Sequence, residues 1–163
     1  MAKSEINTNS NLNALSIALK KEEDSLTFYK NAEKTVQFKP LKELFKDLAK
    51  QEMIHKNILM KEMKKLEGGA KMVDKMTMGE EKMEDYGLSK YLTPQNVKPT
   101  MGYQDALIVA MKREEKACEL FEYLKTITTD NNLKTTFNTL LKWEIEHLRK
   151  LEEKYDEDIL QEN

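Results

Sequence analysis

The chain has 163 residues, enough for one domain with its own core and too few to expect two. A charged fraction of 34% beside a hydrophobic fraction of 39% points to narrow apolar stripes on long helices and away from a thick sheet-and-helix core. A net charge of −2, with neither a basic stripe nor a one-signed tail, excludes the electrostatic basis for binding nucleic acid or an anionic membrane, so neither is expected as a partner.

The opening segment MAKSEINTNSNLN lacks the apolar run of a signal sequence, and no later stretch has the length of a membrane span, so a cytoplasmic location is expected. From Asn13 to Lys34, Leu15, Ala18, Leu19, Leu26 and Tyr29 recur at helical spacing, with Glu22 in the same inward row. Pro40 suits the first turn of a second helix, whose stripe of Leu41, Leu44, Phe45, Leu48, Leu59 and Met63 carries Glu52 and His55 before Gly68 and Gly69 stop it.

Residues 69–102 hold Gly79, Gly87, Pro94 and Pro99 and read as a long crossover with a short helix near Lys75 to Tyr86. A third helix begins at Tyr103, with Leu107, Ala110, Met111, Phe121 and Leu124 around Glu114. Asp130 is placed to cap a fourth, with Leu133, Phe137, Leu140, Leu151 and Tyr155 around Glu144 and His147. The expected fold is all-α: an antiparallel four-helix bundle in one domain, made of a hairpin over 12–68, the crossover, a hairpin over 103–157 and a short C-terminal tail.

The two hairpins repeat. A shift of 92 residues lays Glu22 on Glu114, Glu52 on Glu144 and His55 on His147, so the pattern of one Glu followed by Glu-x-x-His occurs twice. The chain's two histidines are both in that motif. The match extends, without a gap in either hairpin, to pairs such as Ala18 and Ala110, Phe45 and Phe137, and Leu59 and Leu151.

In Glu-x-x-His the two side chains are neighbours on one helix face and can point at one ion. Four carboxylates on inward stripes would repel one another and resist desolvation unless they took up protons or met cations, and two divalent ions balance them charge for charge. Carboxylate oxygen with one imidazole per metal suits iron first, with manganese or zinc as substitutes. The alternative for these groups is a polar layer satisfied without metal.

These residues resemble the rubrerythrin-like branch of the ferritin-like superfamily, from Asn13 to Glu157 and including the crossover phrase around Tyr91-Leu92 and the run Tyr103-Gln104-Asp105-Ala106-Leu107. The resemblance implies that Glu22 and Glu114 are terminal ligands, that Glu52 and Glu144 bridge, and that His55 and His147 serve one metal each. Two features depart from that pattern. Ala117 stands where rubrerythrins carry a further carboxylate, and the single cysteine, Cys118, cannot build their rubredoxin module, so an external electron donor such as a rubredoxin-like protein is implied.

The expected function is that of a dinuclear non-haem iron oxidoreductase, a rubrerythrin-like peroxidase that reduces peroxide or oxygen to water in oxidative-stress defence. The rival readings are a ferroxidase of iron storage and a structural or regulatory metal-binding bundle without turnover. Tyr29, two turns beyond Glu22, reads first as core packing with a satisfied hydroxyl and second as a phenol that hydrogen-bonds a carboxylate ligand or passes an electron, whereas Phe121 holds the matching place in the second half. Cys118 reads as a buried inert thiol, and Met72, Met76, Met78 and Met83 read as adaptable packing of the crossover. Trp143 with Leu141, Ile145 and Leu148 forms a second apolar edge on the last helix, expected as a homodimer surface.

Overall fold

A computed structural model of the chain describes residues 2–67, 73–92 and 95–162. Among the described residues five helices follow one another: α1 (Ala2–Thr35), α2 (Lys39–Glu67), α3 (Val73–Asp85), α4 (Tyr103–Ile127) and α5 (Asn131–Glu162), with a 3₁₀ turn at Ser89–Tyr91 before α4. No strand occurs among the described residues, and no helix there is long and apolar enough to cross a membrane. The architecture is an all-α helical bundle in which α1 packs along α2, α4 along α5, and the two hairpins meet through α1 against α4 and α2 against α5.

Cross-helix contacts fix the directions. Ser10 Oγ donates to the Ile127 carbonyl while Tyr29 Oη reaches Glu114, so α1 and α4 run antiparallel. Lys150 pairs with Asp47 and His55 with Glu144, so α2 and α5 do the same. Each terminus has a local cause. Pro40 lies in the first turn of α2, and Asp130 accepts the Leu133 N–H at 2.8 Å as the cap of α5. Gly87 at φ 67° closes α3, with the Leu88 N–H returned to the Met83 carbonyl at 2.7 Å.

Two differences from the sequence reading concern helix ends. α1 starts at Ala2, well before Asn13, and its polar stretch is tied to the α4–α5 connection at Ser10, which bonds to Ile127, and at Asn11, whose Oδ1 accepts the Thr129 N–H. α5 continues to Glu162, through the stretch expected as a tail. Gly68, Gly69, Pro94 and the side chains of Met72, Met76 and Met78 lie outside the described residues, whereas Met83 is fully buried in the core. Gly79 lets α3 lie close on α1, since a Cβ there would stand 2.2 Å from the Ser16 carbonyl oxygen.

The core is split in two along the bundle. One apolar cluster gathers Leu15, Leu19, Leu59, Met63, Phe121, Phe137 and Leu140, and the other gathers Tyr29, Leu41, Phe45, Leu48, Leu107 and Leu151. Each such side chain contributes about 1.5–3 kcal/mol on burial. On every long helix the residues between the two clusters are the polar motif: Glu22 on α1, Glu52 and His55 on α2, Glu114 on α4, Glu144 and His147 on α5.

Candidate metal centre

All six of those side chains are buried, none more than 3% exposed. They form two overlapping groups: Glu22, Glu52, His55 and Glu144 in one, and Glu52, Glu114, Glu144 and His147 in the other, the ligand atoms of each lying within 4.8 Å of one another. Glu52 and Glu144 belong to both groups. The duplication in the sequence is reproduced in the distances. His55 Nδ1 stands 3.0 Å from Glu144, 3.5 Å from Glu52 and 3.5 Å from Glu22. His147 Nδ1 stands 3.1 Å from Glu52, 3.3 Å from Glu144 and 3.7 Å from Glu114.

Bare carboxylates at such range are costly in a low-dielectric interior, and the protonation pattern is what that cost dictates. Burial, and then the neighbouring carboxylates, pushes Glu22 and Glu114 well above the usual carboxylate range, so both hold protons. Burial also acts to raise Glu52 and Glu144, but hydrogen bonds from the terminal carboxyls and both imidazoles outweigh it and keep these two ionised. Burial alone would lower the imidazoles, yet the facing carboxylates hold His55 far above its ordinary value and push His147 up to about 12.

Protons satisfy this cluster only in part. Both oxygens of Glu22 and of Glu52, one oxygen each of Glu114 and Glu144, and His147 Nδ1 are buried without a well-aligned hydrogen bond. Buried polar atoms left this poorly satisfied are rare in native interiors, and a bound cation would satisfy them. The donor set of four carboxylates and two imidazoles, split into two groups with two shared members, fits a dinuclear metal site.

Around this centre the two halves differ. Tyr29 donates its hydroxyl to Glu114 Oε1, and its own ionisation is pushed well up by burial and by that carboxylate. Trp143 stacks on the His55 ring with centroids 5.2 Å apart and an interplanar angle of 17°. Leu141, expected beside Trp143 on an outer edge, is instead 4% exposed within the core, because it lies on the turn that faces Leu140's cluster; Trp143 and Ile145 are exposed and Leu148 is half-buried. Cys118 is half-buried and its thiol is pushed up to about 12, chiefly by burial, so it is inert at neutral pH.

The sequence reading missed two residues. Lys21 and Arg113, each immediately before a terminal carboxylate, are both buried, and they are equivalent under the 92-residue shift. Lys21 Nζ donates to the Tyr91 carbonyl at 3.0 Å, while Arg113 lies over the Phe28 ring at 4.4 Å and donates to the Asp24 carbonyl. Their repeat register was the available signal, hidden by the habit of assigning basic residues on helices to solvent.

Comparison with known proteins agrees with this geometry. A solved structure of a hypothetical protein from Pyrococcus furiosus is similar at 22% identity and a TM-score of 0.65, covering 90% of this chain and 88% of that one, a likeness that carries the fold alone. None of the curated proteins matches the chain. The rubrerythrin family model matches residues 13–155, a span holding every residue of the cluster, and the chain belongs to the rubrerythrin family.

Proposed function

We propose that the protein is a dinuclear iron oxidoreductase that reduces hydrogen peroxide, and more slowly oxygen, to water in oxidative-stress defence. The observation that carries this reading is the pair of buried ligand groups joined by Glu52 and Glu144. Glu22 and Glu114 would each hold one ion from outside, Glu52 and Glu144 would span both, and His55 and His147 would each complete one side. When bound, a ferrous pair supplies two electrons and Lewis acidity.

The chain's own residues set charge and shape. Four carboxylates cancel two divalent ions charge for charge. Tyr29 Oη, hydrogen bonded to Glu114 Oε1, orients that carboxylate. The two apolar clusters above and below the polar layer exclude bulk water from it.

Electrons come from outside the chain, since its one cysteine cannot hold an iron–thiolate module. Stopped-flow oxidation of the ferrous-loaded protein tests the reading: peroxide should outpace oxygen at equal concentration. Equal rates, or faster oxygen, would count against peroxide as substrate.

A further inference from the structure

Trp143 is the only tryptophan in the chain, and its position is unusual. The ring is 39% exposed, yet its inner face covers the buried imidazole of His55. His55 in turn stacks on His147, with centroids 5.3 Å apart and planes within 5°. Indole, first imidazole and second imidazole therefore make one continuous π stack that begins at the surface and ends between the two ligand groups.

The stack exists on one side only. Under the 92-residue shift the place of Trp143 is taken by Gln51, which has no π system to offer. The α1 and α4 side of the bundle is covered instead, with α3 packed on α1, the Ser89–Tyr91 turn on α4, and Lys21 tied to the Tyr91 carbonyl. His55 is positioned by its Nδ1 contacts with Glu144, Glu52 and Glu22, and the indole adds a π face to a ring already held. Core packing does not call for the indole, since Phe137, Leu140 and Leu141 fill the apolar cluster on that part of α5.

We propose that Trp143 is the electron-entry residue of this protein, passing electrons one at a time from an external one-electron donor at the α2/α5 face, through the stacked His55 ring, to the metal pair. The inference rests on the dinuclear redox reading above. Each passage oxidises one donor by one electron and breaks no bond. Two passages, with two protons from solvent, match the reduction of one peroxide to two waters.

The test separates re-reduction from oxidation in the iron-loaded full chain. Protein oxidised with peroxide is mixed anaerobically with reduced methyl viologen, and the decay of its visible absorption is followed. Trp143→Leu should slow re-reduction about tenfold. Trp143→Phe, which keeps a ring, should lie nearer the unaltered chain, and Gln51→Leu should have no effect. Iron content and the rate at which peroxide oxidises the ferrous form should be the same in all four proteins. An unchanged re-reduction rate in Trp143→Leu overturns the proposal, as does equal slowing of oxidation and re-reduction, which would make the indole a packing element.

Two further readouts need no turnover. Cobalt(II) titration should quench the single tryptophan emission in step with occupancy, and emission indifferent to the metal would overturn the stack. A dimer by light scattering in which iodide no longer reaches Trp143 would overturn surface entry. If Trp143→Leu slows re-reduction while peroxide proves no faster than oxygen, the inference stands and the peroxide assignment falls.

Discussion

In the first half of the molecule the distances from His55 Nδ1 to its three carboxylates are 3.0, 3.5 and 3.5 Å; in the second half those from His147 Nδ1 are 3.1, 3.3 and 3.7 Å. One layer further out the agreement ends. Tyr29 faces Phe121 across the repeat, Trp143 faces Gln51, and Cys118 faces Leu26. The inner layer is constrained from both sides at once, because Glu52 and Glu144 serve both groups and a change in either half disturbs two sites. Tyr29 and Trp143 each touch one ligand, Glu114 and His55, so such residues can differ without breaking the centre, and differences there are what can give two like sites unlike roles.

The strongest break in that comparison is loss of a shared carboxylate. Glu52→Ala and Glu144→Ala should each reduce metal content from two ions per chain to less than one, whereas Glu22→Ala and Glu114→Ala should each cost about one ion, measured by elemental analysis after dialysis. Full retention of metal in Glu52→Ala would remove that residue from the ligand set.

The gathering of these six residues is legible in the sequence because the motif recurs in register and occupies the one break in each helix's apolar stripe. Asp130 as a cap and Pro40 in a first turn are legible for a similar reason, since their effect is local. What lies between helices is not. No periodicity records that Trp143 on α5 covers His55 on α2, that Lys21 is buried against a crossover carbonyl, or that Ser10 and Asn11 tie a polar stretch of α1 to the α4–α5 connection.

A smaller effect should appear with pH. Both imidazoles are raised above their unfolded value near 6.5 by the facing carboxylates, so their contribution to folding is complete below that pH and is lost as pH rises toward about 12, where His147 titrates. The melting temperature of chelator-treated protein should therefore fall from neutral to alkaline pH. Metal-loaded protein should lack this decline, because its imidazoles are neutral ligands throughout. A metal-free melting curve that does not move between pH 7 and about 10 would contradict the charge pattern.

The smallest effect sharpens the contrast between Tyr29 and Phe121. Tyr29→Phe removes one buried hydrogen bond to a carboxyl group and should cost about 1–3 kcal/mol in urea unfolding while leaving both ions bound. Phe121→Tyr, at the equivalent place in the repeat, should cost less, because the repeat carries its hydroxyl toward Glu22, whose oxygens lack a well-aligned hydrogen bond. If Tyr29→Phe loses an ion, the phenol is holding Glu114 in place as a ligand and not merely bonding to it.

Neither hairpin owns a complete set of donors. Around His55, Glu22 and Glu52 come from the first hairpin and Glu144 from the second; around His147 the membership is reversed. An ion in either position would thus be a rivet through both halves, added to the hold of a connection that already packs Met83 into the core and ties Lys21 to the Tyr91 carbonyl. Once loaded, the bundle is clasped at its waist, and severing the connecting strap would leave two pieces that still grip one another through what they share.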